Sequence, residues 1–324
     1  MQVITLDFET YYSTDYGLGA RRCTTEEYIR HEQFEVIGVS VKVDDGPTVW
    51  FSGTKQNTLK FLDKFDWANA IGVAHNAMFD MAILNWHFDI RPRKIVDTLS
   101  MARALHTGEV GGSLAALTTH YGLGTKGKEV LEAINKTRID FSAEDLAAYG
   151  SYCINDTELT YQLFLILAKG FPVIELQLID LTMRMFTEPA IQLDKQLLDN
   201  HLTEIADHKK SLMLRIEHDQ KELMSNPKFA ALLESYGVTP PKKISPTTGK
   251  ETYAFAKTDE GLKLLQDHNN IEVQNLVSAR LGVKSTLEEK RTQRFIDIAE
   301  RGLLPVPLKY YAAHTGRWLS LIHI

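Results

Sequence analysis

Gln2-Val-Ile-Thr-Leu-Asp7-Phe-Glu9 opens the chain with a run of β-branched and apolar residues. The period of two in a strand puts Asp7 and Glu9 on one face and Leu6 and Phe8 on the other, so one strand presents two carboxylates together. Outward from it, Val36 to Val43 and Thr48 to Ser52 are two more strand-like runs, parted by the turn Asp44-Asp45-Gly46-Pro47, and the three read as a meander. A helix at Asn57 to Phe65, a short strand at Ala70 to Ala74, a helix from Asn76 to about His87 and a strand at Ile95-Val96 follow. Helical patterns continue at Asp97 to Leu105, at Ser113 to His120 and from Ser142, where Ser142-Ala-Glu-Asp145 supplies an N-cap and an acidic first turn. This half is α/β, one mixed sheet with helices on both faces, and Gly170-Phe-Pro172 ends it because proline disfavours continuing a helix. The first domain is placed at 1–170.

The second region, 171–324, is mostly α. Helical periodicity fills 173–236 and resumes over 258–300, with the polar, Pro-rich and basic stretch Thr239-Pro-Pro-Lys-Lys-Ile-Ser-Pro-Thr-Thr-Gly-Lys250 read as a loop between.

The chain has 324 residues, 44% hydrophobic and 24% charged, enough for two cores. No apolar run approaches the roughly 20 residues that span a bilayer, and the expectation is a soluble, cytoplasmic protein of phage or bacterial origin with no membrane partner. Two cysteines, Cys23 and Cys153, make no disulfide framework or zinc pattern. The net charge of −6 is uneven: residues 1–170 carry all of it, whereas 241–320 hold 13 Lys/Arg against 9 Asp/Glu. An acidic, cation-binding half and a basic, phosphate-binding surface would divide charge this way, as would solvated faces of mixed charge.

Two further clusters repeat the pattern of paired polar residues on one face. Asn76 and Asp80 are four apart at a helix start, as are Tyr152 and Asp156 inside a helix. Each cluster has a structural alternative: a solvated strand end for the first, an Asn N-cap with an acid in the first turn for the second, an amphipathic surface for the third. Together they bring four carboxylates and one phenol from separate elements, the oxygen-rich set that paired hard cations need. Such carboxylates repel one another and are driven toward protonation unless a cation is present. His75 and His120 are not read as ligands.

Asp7-x-Glu9, Asn76-x-x-Phe79-Asp80 and Tyr152-x-x-x-Asp156 resemble the three motifs of the DEDDy-type 3′→5′ exonucleases, and Tyr152 marks the subtype. The resemblance implies an RNase H-like fold and two divalent cations, Mg²⁺ or Mn²⁺. It implies that Asp7 bridges both, that Glu9 and Asp156 complete the first, that Asp80 holds the second mainly through water, and that Tyr152 orients the attacking water. Hydrolysis of the terminal phosphodiester would release nucleoside 5′-monophosphates, with Asn76 and Phe79 on the terminal nucleotide and a preference for single-stranded 3′ ends. Asp97-Thr98 resembles a pair common after the second motif and is given a structural role.

Lys309-Tyr-Tyr-Ala-Ala-His-Thr315-Gly316-Arg317-Trp318 is similar to the Thr-Gly-Arg segment that opens the palm of family A DNA polymerases, in its phage-type form. Asn226-Pro227, the basic loop and Arg280-x-x-x-Lys284 look more loosely like that family's thumb. If 276–296 were one helix, Arg280, Lys284, Arg291 and Arg294 would share an arc with Leu287 and Phe295, readable equally as a phosphate-tracking stripe or as a mixed exposed face, and Arg317, Lys284 and Arg280 are the expected contacts to primer–template DNA. The later palm and fingers motifs do not follow Trp318, so the expectation is a polymerase fragment without polymerase activity, whose last residues, 319–324, carry no functional reading. The resemblance makes the chain a proofreading exonuclease; an RNA-trimming exonuclease and a non-catalytic nucleic-acid-binding scaffold are the alternatives.

Overall fold

A computed structural model describes residues 1–19, 22–106, 109–125, 133–216, 218–313 and 315–320. In chain order its first elements are β1 (Gln2–Thr10), α1 (Thr25–Arg30), β2 (Val36–Val43), β3 (Val49–Phe51), α2 (Lys55–Leu62), β4 (Ala70–Ala74), α3 (Met78–Phe88), β5 (Lys94–Asp97), α4 (Thr98–His106), α5 (Leu114–Tyr121), α6 (Ala143–Leu167) and α7 (Val173–Thr187). The remainder are α8 (Lys195–Met213), α9 (Gln220–Met224), α10 (Asn226–Ser235), β6 (Lys242–Ile244), β7 (Glu251–Tyr253), α11 (Glu260–Gln266), α12 (Ile271–Lys284), α13 (Leu287–Arg301), β8 (Leu308–Lys309) and β9 (Leu319–Ser320).

Packing divides the chain into two units, Met1–Gln192 with the described residues from Leu303 onward, and Leu193–Gly302. The first is built on a five-stranded sheet of order β3-β2-β1-β4-β5, antiparallel across β1, β2 and β3 and parallel across β1, β4 and β5. The mixed sheet flanked by helices is the architecture that the alternating signals predict. β1 lies at its centre, and its two faces are covered differently. Ser40, the partner of Asp7 on β2, donates from Oγ to Cys153 O of α6 at 3.0 Å, so the acidic face looks at α6. Phe8, on the other side, stacks with Phe88 of α3 at 6.0 Å between centroids.

The pairing of β1 with β4 ends at Thr5 and Val73, while β1 runs on to Thr10 against β2. The strands therefore diverge beside Asp7 and Glu9, and the register shifts between Glu9 and Thr10. A bulge at this point bends the strand and re-aims its side chains. α6 starts where the sequence places it, with Ser142 Oγ accepting from Asp145 N at 3.1 Å. Its 25 residues carry Tyr149, Tyr152, Cys153 and Asp156 over the sheet.

The packing boundary falls beyond 170. Ile179, Met183 and Phe186 of α7, and Tyr310, share the apolar core of the sheet unit. Asp180 of α7 accepts from Ile95 N of β5 at 2.8 Å, tying the helix to the edge strand.

The second unit has its own core, including Leu223, Phe229, Leu233, Leu262, Val273 and Val277. It is mostly helical. The stretch read as a loop over 239–250 contains one arm of a hairpin, with Lys242 to Ile244 pairing Tyr253 to Glu251 across a turn that Gly249 (φ +65°) permits. The single helix considered over 276–296 is two, since α12 stops at Lys284 and α13 begins at Leu287. Among the described residues no helix is long and apolar enough to cross a membrane.

Candidate active site

Asp7 and Glu9 leave β1 on the α6 side, and their carboxylate oxygens lie with the Cys153 sulfur in a group whose ligand atoms are all within 4.8 Å of one another. Cys153 is buried and its Sγ donates toward Asp7 O at 3.3 Å. Burial, and then the charges of Asp7 and Glu9, push this thiol well above its usual range. It stays a protonated thiol, so the anionic donors here are oxygens.

Asp80 enters from the opposite direction. It sits in the first turn of α3, 3% exposed, and its Oδ1 accepts from Phe8 N at 3.0 Å. That amide lies past the end of the β1–β4 ladder, so the side chain of α3 satisfies what β4 no longer reaches. Burial is the main cause, and the charge of Asp7 the second, of an Asp80 carboxyl held well above the ordinary carboxylate range.

Tyr152 and Asp156 are buried on α6, one turn apart and hydrogen-bonded to each other. Burial raises the Tyr152 phenol, with Asp156, Glu9 and Asp7 adding to the effect in that order. The phenol is thereby kept neutral, able to donate at any ordinary pH. Asp7 of β1 is thus within electrostatic reach of Asp80 of α3 and of Tyr152 of α6, and Tyr152 is within reach of Asp156 and Glu9 as well.

The second motif is organised differently from a simple helix cap. Asn76 is exposed, in the left-handed region (φ +67°), and the N-cap position of α3 is Ala77, which makes no side-chain cap. The turn is held from β5: Asp97 Oδ1 accepts from Asn76 N at 2.8 Å, Ala77 N at 3.0 Å and Leu99 N at 3.2 Å, and Oδ2 from Ser100 N at 3.1 Å. This is a structural task for Asp97, and it leaves the Asn76 side chain to a cleft rather than to the helix. His75 is occupied by Thr98 Oγ1 at 2.9 Å and Gly112 O at 3.1 Å.

Asn76 and the half-buried Phe79 line a cleft of about 770 Å³ together with Arg103 and Lys309. Neither cation was given a role from the sequence, because Arg103 falls in no motif, Lys309 only opens the segment quoted around Thr315-Gly316-Arg317, and both reach the cleft from elements that only folding brings there. Tyr149 was also missed. Its Oη donates to Glu9 Oε2 at 2.6 Å, and its one clue was a place three residues before Tyr152 on the same helical face.

The expected nucleic-acid contacts separate. Arg317 is exposed in the β8–β9 hairpin, next to Gly316 at φ +74°. Lys284 is exposed at the end of α12, beside a groove of about 470 Å³ that also has Lys243 and Lys257 in its lining. Arg280 is corrected: it is fully buried, donates to Leu223 O and to Asn226 Oδ1, and lies over the rings of Phe229 at 4.2 Å and Phe255 at 4.9 Å. Burial pushes its pKa down to about 10. A guanidinium enclosed in this way holds the core of the second unit together and cannot track phosphates.

An acidic cluster at the open end of a mixed sheet, backed by a phenol, is a nuclease-type arrangement. Residues 2–171 match the family model described as 3′-5′ exonuclease, of the DNA polymerase A type. The chain belongs to that family. Its fold is similar to the POL domain of Pol1 from M. smegmatis, solved in complex with DNA primer-template and dNTP, at 15% identity and a TM-score of 0.55, covering 99% of this chain and 51% of that one. The chain thus spans about half the length of that polymerase chain. NrnC from Brucella melitensis aligns at 16% identity over 56% of this chain and 81% of its own, with a TM-score of 0.41. Among curated proteins none matches.

Proposed function

We propose that this chain is a metal-dependent 3′→5′ exonuclease that removes nucleotides from single-stranded DNA ends, the proofreading activity of a family A polymerase. The observation that carries the reading is the convergence of Asp7, Glu9, Asp80, Asp156 and Tyr152 from three elements, in a chain whose residues 2–171 belong to the 3′-5′ exonuclease family.

The donor set fits hard divalent cations. Asp7 and Glu9 offer oxygens within 4.8 Å of each other, and the charge of Asp7, which adds to burial in lifting Asp80, is what a cation would offset. Asp7, Glu9 and Asp156 would hold one ion and Asp7 with Asp80 the other, with Mg²⁺ or Mn²⁺ suited to an all-oxygen set. When bound, the ions supply an activated water and charge stabilisation at the scissile phosphate. Tyr152 keeps its proton and directs the water by hydrogen bond. Asn76 and Phe79 receive the terminal nucleotide, Phe79 by stacking, which favours frayed ends because every base has a π face. Arg103 and Lys309 place positive charge in the same cleft for the phosphates behind it. Arg317 and Lys284 are proposed contacts to primer–template DNA.

The test compares 5′-labelled single-stranded DNA and RNA of one sequence, with and without Mg²⁺. The reading expects DNA shortened from its 3′ end with nucleoside 5′-monophosphates as product. Rapid trimming of RNA with DNA untouched would replace the substrate, and binding of both without shortening would make the chain a scaffold.

A further inference from the structure

Glu9 is a long, half-buried side chain, and a ligand of that kind needs something to fix its rotamer. Tyr149 Oη meets its Oε2 at 2.6 Å. The phenol is itself locked: Tyr149 is 3% exposed, stacked between Phe141 (5.4 Å, 7°) and Tyr152 (6.2 Å, 14°), with the edge of Trp50 against it at 6.5 Å.

Trp50 occupies a slot made by two glycines. A Cβ on Gly38, the cross-strand partner of Glu9, would come within 2.2 Å of the indole, and one on Gly150, next to Tyr149, within 2.6 Å. The ring therefore wedges between β2 and α6 at the level of Glu9, where any other residue at either position would push it out. No motif of the exonuclease site includes Tyr149, Trp50, Gly38 or Gly150.

We propose that Tyr149, braced by Trp50, is a positioning residue that orients the Glu9 carboxylate toward the cation. The inference rests on the metal-site reading above. The hydrogen bond holds Oε2 of a carboxylate that has an oxygen within 4.8 Å of one of Asp7, so its loss frees Glu9 to rotate without removing a donor. Groups that orient metal ligands typically change affinity by about 10–100-fold when lost.

The experiment is Mn²⁺ binding to the whole chain without nucleic acid, followed by the paramagnetic resonance of the free ion. Tyr149→Phe is expected to bind Mn²⁺ about tenfold more weakly than the wild type, and the Mn²⁺ needed for half-maximal nucleotide release is expected to rise by the same factor. In a Glu9→Ala background the same change is expected to add nothing, because the acceptor is gone. Wild-type affinity in Tyr149→Phe, with Asp7→Asn binding poorly, overturns the role of Tyr149 alone. Equal affinity of wild type and Asp7→Asn overturns the metal site on which it rests. Should Tyr149→Phe not fold, Trp50→Phe, which withdraws the wedge and keeps the phenol, carries the same expectation and the same refutation.

Discussion

At Asp80, burial and the facing charge of Asp7 act in the same direction, so the folded, metal-free protein holds this proton to higher pH than a free carboxyl does. A folded-state pKa raised above the unfolded one stabilises the fold fully below the ordinary carboxyl range, and that contribution is lost as pH rises through the raised value. Asp80→Asn keeps an acceptor for Phe8 N and removes the charge. In chelator it is therefore expected to melt above the wild type near neutral pH, by about 2–4 °C for each kcal/mol of relieved repulsion, with the difference shrinking toward pH 4. Thermal melts across that range check it; a pH-independent difference would remove the repulsion. Tyr152 gives a kinetic counterpart. Tyr152→Phe is expected to lower nucleotide release by about 10²-fold or more while leaving Mn²⁺ affinity near that of the wild type. The raised phenol also predicts no rate inflection from tyrosine ionisation below pH 10. Asp7 with Glu9 at a spacing of two, and Asn76 with Asp80 and Tyr152 with Asp156 at four, were legible as shared faces, and their chemical reading came from the order of the three clusters and its likeness to a known family. Tyr149 was not, since a tyrosine in an amphipathic helix gives no sign of the strand residue above it.

Among the elements, β1 and α6 were plain from pattern and capping, and the site hangs on both. Less plain was how they are held together. Gly150 in the middle of α6 looks like a helix weakness of about 1 kcal/mol relative to Ala, yet it is half of the slot for Trp50. Gly150→Ala should therefore destabilise the protein by about 1–3 kcal/mol despite its better helix propensity, as overpacking does; denaturant midpoints measure this, and a stabilised variant would show that Trp50 moves freely. The Asn76 turn teaches the same lesson. An Asn before a helix reads as a cap, but a carboxylate from β5, about twenty residues on, does the holding, which only the parallel β4–β5 pairing brings into place. Asp97→Ala strips acceptors from buried amides and should cost about 2–3 kcal/mol or more, lowering activity through the displaced α3 start.

Over the whole molecule, the sheet unit reaches past the matched residues 2–171 to include α7 and Tyr310, because the apolar faces of the edge strand and of α3 need covering. Linear punctuation at Gly170-Phe-Pro172 marks a break in a helix, not a break in packing. In the second unit, charge on a helical wheel misled at Arg280, since Phe229 and Phe255, which enclose it, lie far away in the chain. Arg280→Ala is expected to speed amide hydrogen exchange across Leu193–Gly302, the cost being about 2–3 kcal/mol for the groups left unpaired. The salt dependence of single-strand binding should stay as in the wild type, since a buried cation releases no counterions.

On the function proposed above, four carboxylates and bound cations hydrolyse DNA from its 3′ end. A time course of 5′-labelled single-stranded DNA with the full chain and Mg²⁺ measures it, run beside chelator and Asp7→Ala. The account predicts a ladder shortening one nucleotide at a time, stopped by chelator and slowed by Asp7→Ala at least on the order of 10²–10³-fold. A ladder that Asp7→Ala leaves unchanged, or no shortening by the wild type, would contradict it.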